Sequence, residues 1–419
     1  MKQKNILLSL CLFFSLTSYH QPVHSVDWQL VNPTQWSTKT IIAATVGTYL
    51  VGKTAYNATY KWLQKPVADA QKLPVFYHDN YNIRMFGIEK LPIHPFDSTK
   101  YEGAHALIKN QLNLSDNHFR APASEVSKQD LLKVHTEKYL TGLNSRVVAG
   151  ITGIPLLSLL PNFLIQRNIL SPMRLATQGT IDAAEYALNN KTAAINLGGG
   201  YHHAKRTYGE GFCVYSDMPL AITKLREKIP TLKVLYIDLD AHRGNGFASY
   251  YVGDNNIFIL DCYNENNYPF KIKPDENAID NSLTSYHIYC SDKCRTNAAN
   301  RYIKREKCDQ CRSKYLTSLE TALDKLPGRE KFNRQPDLIV YNAGTDPYEG
   351  DALGRMNLTK AGIIQRDEMV FRFAQKQNIP LVMTTSGGYS KESAQIIGES
   401  IVNLYNNHLI RNLENKHSK

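Results

Sequence analysis

Asp240 and His242 stand two residues apart at the end of an apolar run, Val234 to Leu239. On an extended chain that spacing points both side chains the same way, so they can share one ion. A third ligand must come from elsewhere, and Asp346, leaving another apolar run just after a glycine, is the best candidate. Two carboxylates and one imidazole keep a coordination position open, the catalytic style of zinc and not the closed structural style. Fe(II) accepts the same donors. Taken alone, an Asp-x-His pair is more often an ordinary strand-end or capping group.

Two further groups strengthen the chemical reading. His202 and His203 follow Gly198-Gly199-Gly200 and Tyr201. Glycine lets backbone approach a ligand closely, and two adjacent imidazoles can serve as base and acid on a reacting group. Either histidine alone would more often be a satisfied core residue. Tyr389, after Ser386-Gly387-Gly388, can supply a phenolic donor to a developing oxyanion. Alone it would more often be a packed aromatic.

The elements that must position these residues form a pattern. Apolar runs of strand length occur at Ala193 to Leu197, Val234 to Leu239, Asn256 to Leu260, Asp337 to Tyr341 and Pro380 to Thr384. Helical stretches fit between and after them, at Thr180 to Leu188, Leu220 to Glu227, Tyr315 to Leu326, Ala361 to Gln377 and Ser393 to Tyr405. This alternation predicts an α/β fold, a single three-layer domain whose mostly parallel sheet is covered by helices on both faces. Polar, titratable and glycine residues gather at the carboxyl ends of the strands, the edge where open α/β sheets bind ligands. The active site is therefore expected there.

Composition bounds the class. The chain has 419 residues, 42% hydrophobic and 21% charged, with Lys plus Arg 49 against Asp plus Glu 38, a surplus of +11. It can bury a sizeable core, and its apolar runs are too short for a polytopic membrane protein. Residues 1–25 read as an export signal: Lys2 and Lys4, an apolar run from Ile6 to Leu16, then small residues around Val23-His24-Ser25. An uncleaved anchor or a first core helix of the fold is the alternative. Residues 26–73 are expected to form a helical extension containing the apolar stretch Ile41 to Val51, 74–410 the catalytic domain, and 411–419 a tail.

Four segments resemble the zinc-dependent histone deacetylase family: Gly198 to Asp217 (GGGYHHAKRTYGEGFCVYSD), Ile237 to Gly246 (IDLDAHRGNG), Tyr341 to Gly354 (YNAGTDPYEGDALG) and Thr385 to Tyr389 (TSGGY). The resemblance runs from about Pro74 to Leu409. The NAGTD and SGGY forms, with Leu160-Pro161-Asn162-Phe163-Leu164 and His94-Pro95-Phe96-Asp97, are similar to its class IV branch. Asn245 and Ser386 depart from the class I pattern, which carries Asp and Gly at those places. The resemblance implies zinc on Asp240, His242 and Asp346, with His203 as general base. It implies that His202, oriented by Asp238, stays protonated or donates to the leaving amine, and that Tyr389 binds the oxyanion. Gly211, Phe212 and Gly388 match substrate-binding positions, the first two in the acyl-lysine tunnel. A monovalent cation, K(+), is implied near the Asp238 and Asp240 backbone. The expected substrate is an acyl-lysine protein or peptide. Long acyl chains follow from the class IV likeness, and Ile154 to Ile165 is an apolar stretch that either lines a tunnel for them or packs in the core. Small acetylated amines such as polyamines, and a catalytically silent binding module, are the competing readings.

Cys290, Cys294, Cys308 and Cys311 form C-x3-C-x13-C-x2-C in a stretch, 288–312, inserted relative to the family pattern. Two disulfides are expected in an exported chain; structural zinc on four thiolates fits the same spacing. Cys213 and Cys262 are expected to be small buried packing residues. Between Cys290 and Arg312 seven basic residues face three acidic ones, 7 − 3 = +4. The basic insertion is thus a candidate dock for an acidic partner or a membrane surface, and nothing directly indicates nucleic acid.

Overall fold

The computed structural model describes residues 68, 71–84, 97, 99–264, 267–269, 285–287, 309–328 and 335–410. The chain divides into two compact units, Met1–Lys65 and Pro66–Lys419, and everything described belongs to the second. The export signal, the Ile41 to Val51 stretch and the tail lie outside the described residues. So do Cys290, Cys294 and Cys308 and the side chain of Cys311.

Seven strands form one sheet: β1 (Val75–Phe76), β2 (Ala193–Asn196), β3 (Val234–Asp238), β4 (Ile257–Asp261), β5 (Ser285–His287), β6 (Leu338–Asn342) and β7 (Leu381–Thr384). Their order is β1-β2-β7-β6-β3-β4-β5. Among the described residues every strand pairing is parallel, in line with the expected mostly parallel sheet. The five predicted strands recur within one residue at each end. β1 and β5 went unpredicted because two or three residues carry no readable run.

Side-chain alternation along the strands separates two cores. Leu235, Ile237, Ile339, Tyr341, Leu381 and Met383 pack with helices Lys100–Gln111, Lys360–Gln377 and Ser393–Asn406. Val234, Tyr236, Leu338, Val340 and Val382 pack on the other face with helices Ser171–Asn190 and Asp217–Lys228. A period of two points successive residues to opposite faces, and both faces are covered, so the strands read as continuous apolar runs. Truncating Ile339, fully buried, to alanine is expected to cost about 2–5 kcal/mol.

Helix Ser171–Asn190 begins nine residues before its predicted start. Pro172 sits in its first turn, where a missing N–H costs nothing, and Thr177 and Gly179 weaken the local helical signal. The Ile154 to Ile165 stretch divides. Leu157 and Ile165 are buried, whereas Leu159 is 78% and Phe163 67% exposed. Core packing therefore accounts for only part of it.

Candidate active site

β3 ends on Asp238, in register with Asn342 of β6 and Asp261 of β4. The chain then turns so that Asp240 and His242 converge with Asp346, which follows β6. One ligand atom from each lies within 4.8 Å of the others, and all three residues are buried. His242 Nδ1 is 3.1 Å from Asp240 Oδ1 and 2.8 Å from Asp346 Oδ2. Backbone fixes the carboxylates: the Ala241 N–H donates to Asp346 Oδ1 at 2.8 Å, and the Gly387 N–H to Asp240 Oδ2 at 3.1 Å. Two acidic groups buried side by side are unfavourable without a cation between them. The donor set, two carboxylates and one imidazole, fits a divalent metal.

Electrostatics agree with that fit. Burial pushes the Asp346 carboxyl up, and the like charge of Asp240 pushes it further, to about 7. Burial opposes the charge on His242, but bonds to Asp240 and Asp346 override it and raise the imidazole to about 10. Without a metal, a proton on His242 is what these carboxylates have to share.

The two adjacent histidines face different partners. His202 Nδ1 lies 2.8 Å from Asp238 Oδ2, and His203 Nδ1 lies 2.8 Å from Asn245 Oδ1. Asp238 is itself held: Tyr236 Oη donates to its Oδ2 at 2.5 Å and Asn342 Nδ2 to its Oδ1 at 3.0 Å. Burial disfavours charge on His202, yet Asp238 and Asp240 outweigh it and lift the ring to about 9. Burial, then the nearby His202 and His242, press His203 well below the usual histidine range. The surroundings thus favour the charged form of His202 and the neutral form of His203.

Tyr389 stands beside the triad, its ring centroid 6.1 Å from that of His242. Its N–H donates to Asp351 Oδ2 at 2.6 Å. Burial, with Asp240 and Asp346, drives the phenol well above its ordinary value, so it stays a proton donor. Gly388 before it has φ +141°, and a Cβ there would sit 2.1 Å from Thr345 Oγ1. Glycine is required at that position by both conformation and space.

Gly211 lies beside His203, and Phe212 beside Tyr389. Gly211 has φ +55°, and a Cβ would fall 2.4 Å from His203 Cδ2. Phe212 adopts φ +66°, with its N–H donating to Ile151 O at 3.0 Å and its ring centroid 5.9 Å from that of Tyr389. A bulky residue in the left-handed region is strained, and such strain clusters at functional sites. Cys213 and Cys262 are buried free thiols, both raised by burial, as expected of packing residues.

Several residues that shape the site were not anticipated. Asp217 accepts from the N–H groups of Gly200 and Tyr201 at 2.8 and 2.9 Å, bracing the glycine turn before the histidines. It closes the motif quoted for the resemblance, so a signal was present. Lys100, fully buried, donates its Nζ to Ser386 O at 2.6 Å, behind the Tyr389 loop. Burial lowers that amine to about 8, against the pull of Asp346 and Asp240. Nothing local marks it, because its partner lies 286 residues away. Asn267 Nδ2 lies 3.3 Å from His242 Nε2, and the Tyr268 ring is 5.0 Å from that of His203. Glu210 accepts from Asn245 Nδ2 at 2.9 Å.

The constellation thus sits at the carboxyl edge of a parallel sheet, around three residues whose donors fit a metal ion. The histone deacetylase domain model matches residues 94–404, and the chain belongs to the histone deacetylase family. It is similar to histone deacetylase 2 of Arabidopsis thaliana, 40% identical over 341 residues that cover 81% of this chain and 80% of that protein. Histone deacetylase 1 of Homo sapiens is 30% identical over 218 residues, 52% of this chain and 40% of that one. Among solved structures, a histone deacetylase homologue complexed with SAHA aligns with a TM-score of 0.57 at 21% identity, covering 80% of this chain and 83% of the other. The HDA15 HD domain aligns with a TM-score of 0.56 at 19% identity, covering 80% and 88%. At these identities the two structures speak for the fold alone.

Proposed function

We propose that this chain hydrolyses the amide bond of acylated lysine with zinc held by Asp240, His242 and Asp346. The observation that carries the reading is the buried triad with a neutral imidazole, a cationic imidazole and a raised phenol gathered around it. A divalent metal bound there polarises a carbonyl and acidifies water. His203, donating Nδ1–H to Asn245, keeps Nε2 free to take the proton of the attacking water. Tyr389 donates its hydroxyl to the developing oxyanion. His202, kept protonated by Asp238, supplies charge opposite the oxyanion and a proton for the departing lysine amine. Gly211, Phe212 and Gly388 line the path of the acyl-lysine.

Membership of the class IV branch rests on the NAGTD and SGGY forms, and a preference for long acyl groups follows from it. A monovalent cation beside Asp238 is supported by Asp261, whose buried Oδ1 has no hydrogen-bond partner and whose carboxyl is raised by burial and by Asp238. Export rests on the basic, apolar and small residues of 1–25, and paired cysteines in 288–312 on the oxidising compartment that export implies. The test is a substrate panel of acetyl-lysine peptide, myristoyl-lysine peptide and acetylpolyamine, offered to the zinc-loaded protein. Turnover of the peptides supports the reading. Turnover of the polyamine alone replaces it.

A further inference from the structure

Asn245 occupies a place where an amide is ambiguous, since its oxygen accepts and its nitrogen donates. Only its partners decide which end faces His203. On one side lies His203 Nδ1, 2.8 Å from Oδ1; on the other lies Glu210 Oε1, 2.9 Å from Nδ2. The imidazole nitrogen can donate or accept, so it imposes nothing. An ionised carboxylate can only accept, so Glu210 compels the NH2 end to face it. The Oδ1 end must then face His203, and His203 Nδ1 must carry the hydrogen. Its Nε2 is left as a lone pair.

We propose that Glu210 is a positioning residue for the base: through the Asn245 amide it sets the His203 tautomer that can take a proton. Glu210 is not one of the three residues placed to hold a metal. It is 28% exposed at its side chain and lies 3.2 Å from Lys205 Nζ. The residue after it is Gly211, packed against the same imidazole. A carboxylate directly on the base would stabilise its cation, whereas the interposed amide passes on direction and no full charge. This role deepens the proposed hydrolysis and depends on it for its catalytic consequence, though not for the tautomer itself.

The experiment reads the tautomer directly. The full, zinc-loaded chain is labelled with 15N-histidine, and long-range 1H–15N correlation reports which ring nitrogen carries hydrogen. His203→Ala identifies the resonance by its loss. The wild type is expected to show hydrogen on Nδ1. Glu210→Gln, which can either accept or donate, is expected to give a mixture, and Glu210→Lys, which can only donate, the reverse tautomer. With an acyl-lysine peptide, kcat should fall about 10-fold and 100-fold in turn, no more than the ~10²–10⁴ a general base contributes, with KM within about twofold. Asn245→Asp supplies an acceptor whatever stands at 210, so in that background Glu210→Gln should leave the hydrogen on Nδ1. An unchanged Nδ1–H pattern in Glu210→Lys, with zinc content and near-ultraviolet dichroism of wild type, overturns the proposal. Equal kcat losses from Glu210→Gln in both backgrounds also overturn it. A wild type that shows the expected tautomer but cleaves no acyl-lysine leaves the positioning role standing and removes the proposed function.

Discussion

The rings of His202 and His203 lie 4.0 Å apart between centroids, yet they titrate in opposite directions, the first up to about 9 and the second well below the usual value. Two cations so close repel by about 4 kcal/mol at an effective dielectric of 20, so charging one suppresses the other. Asp238 decides which, because it bonds His202 and not His203.

This division predicts a pH profile. Activity is expected to fall on the alkaline side as His202 loses its proton, with a midpoint near 9 that a cation bound at Asp240 draws downward. Asn245→Asp places a carboxylate on His203, favours its cation and moves the acidic limb to higher pH. A kcat/KM profile across pH 5–10 for both proteins checks this. An acidic limb that stays put in the variant contradicts it.

Tyr389→Phe keeps the ring and removes the hydroxyl. Losing one oxyanion donor typically costs about 10²–10³ in turnover. Zinc content should be unchanged, since Tyr389 is not among the ligands. Full activity in this variant would remove the oxyanion role.

Metal binding is expected to release protons. Without metal His242 is raised to about 10 and Asp346 to about 7, so the triad holds at least the histidine proton at pH 7. A cation displaces it, and affinity should rise with pH. Calorimetric zinc titrations in buffers of different ionisation heat should show about one proton released. Chelation should abolish activity and zinc restore it.

Lys100→Met removes a buried donor from Ser386 O. An unsatisfied buried carbonyl costs about 1–3 kcal/mol, and the turn holding Tyr389 loses its anchor. Denaturant unfolding should show that loss, and kcat should drop while the metal remains.

Much of this was legible because parallel strands buried on both faces announce themselves as apolar runs. The polar residues ending those runs form the site. Asp240, His242, Asp346, His202, His203 and Tyr389 each sit at or just beyond a predicted strand end. Residues that brace them from a distance were not legible. Lys100 reaches the Tyr389 loop through a tertiary contact that leaves no local pattern, whereas Asp351, which bonds the Tyr389 N–H, stood inside a quoted motif without its partner being readable. Glu210 was inside a quoted motif, but its bond to Asn245 joins residues 35 apart through folding alone.

The most direct measurement is release of free lysine peptide from acetyl- and myristoyl-lysine peptides by the zinc-loaded chain, beside His203→Ala and a chelated sample. Turnover by the wild type, with at least a 100-fold loss in His203→Ala (within the ~10²–10⁴ of a general base) and none after chelation, is the predicted result. A protein that binds zinc at Asp240, His242 and Asp346 but leaves both peptides intact, or cleaves them equally well without His203, would contradict it.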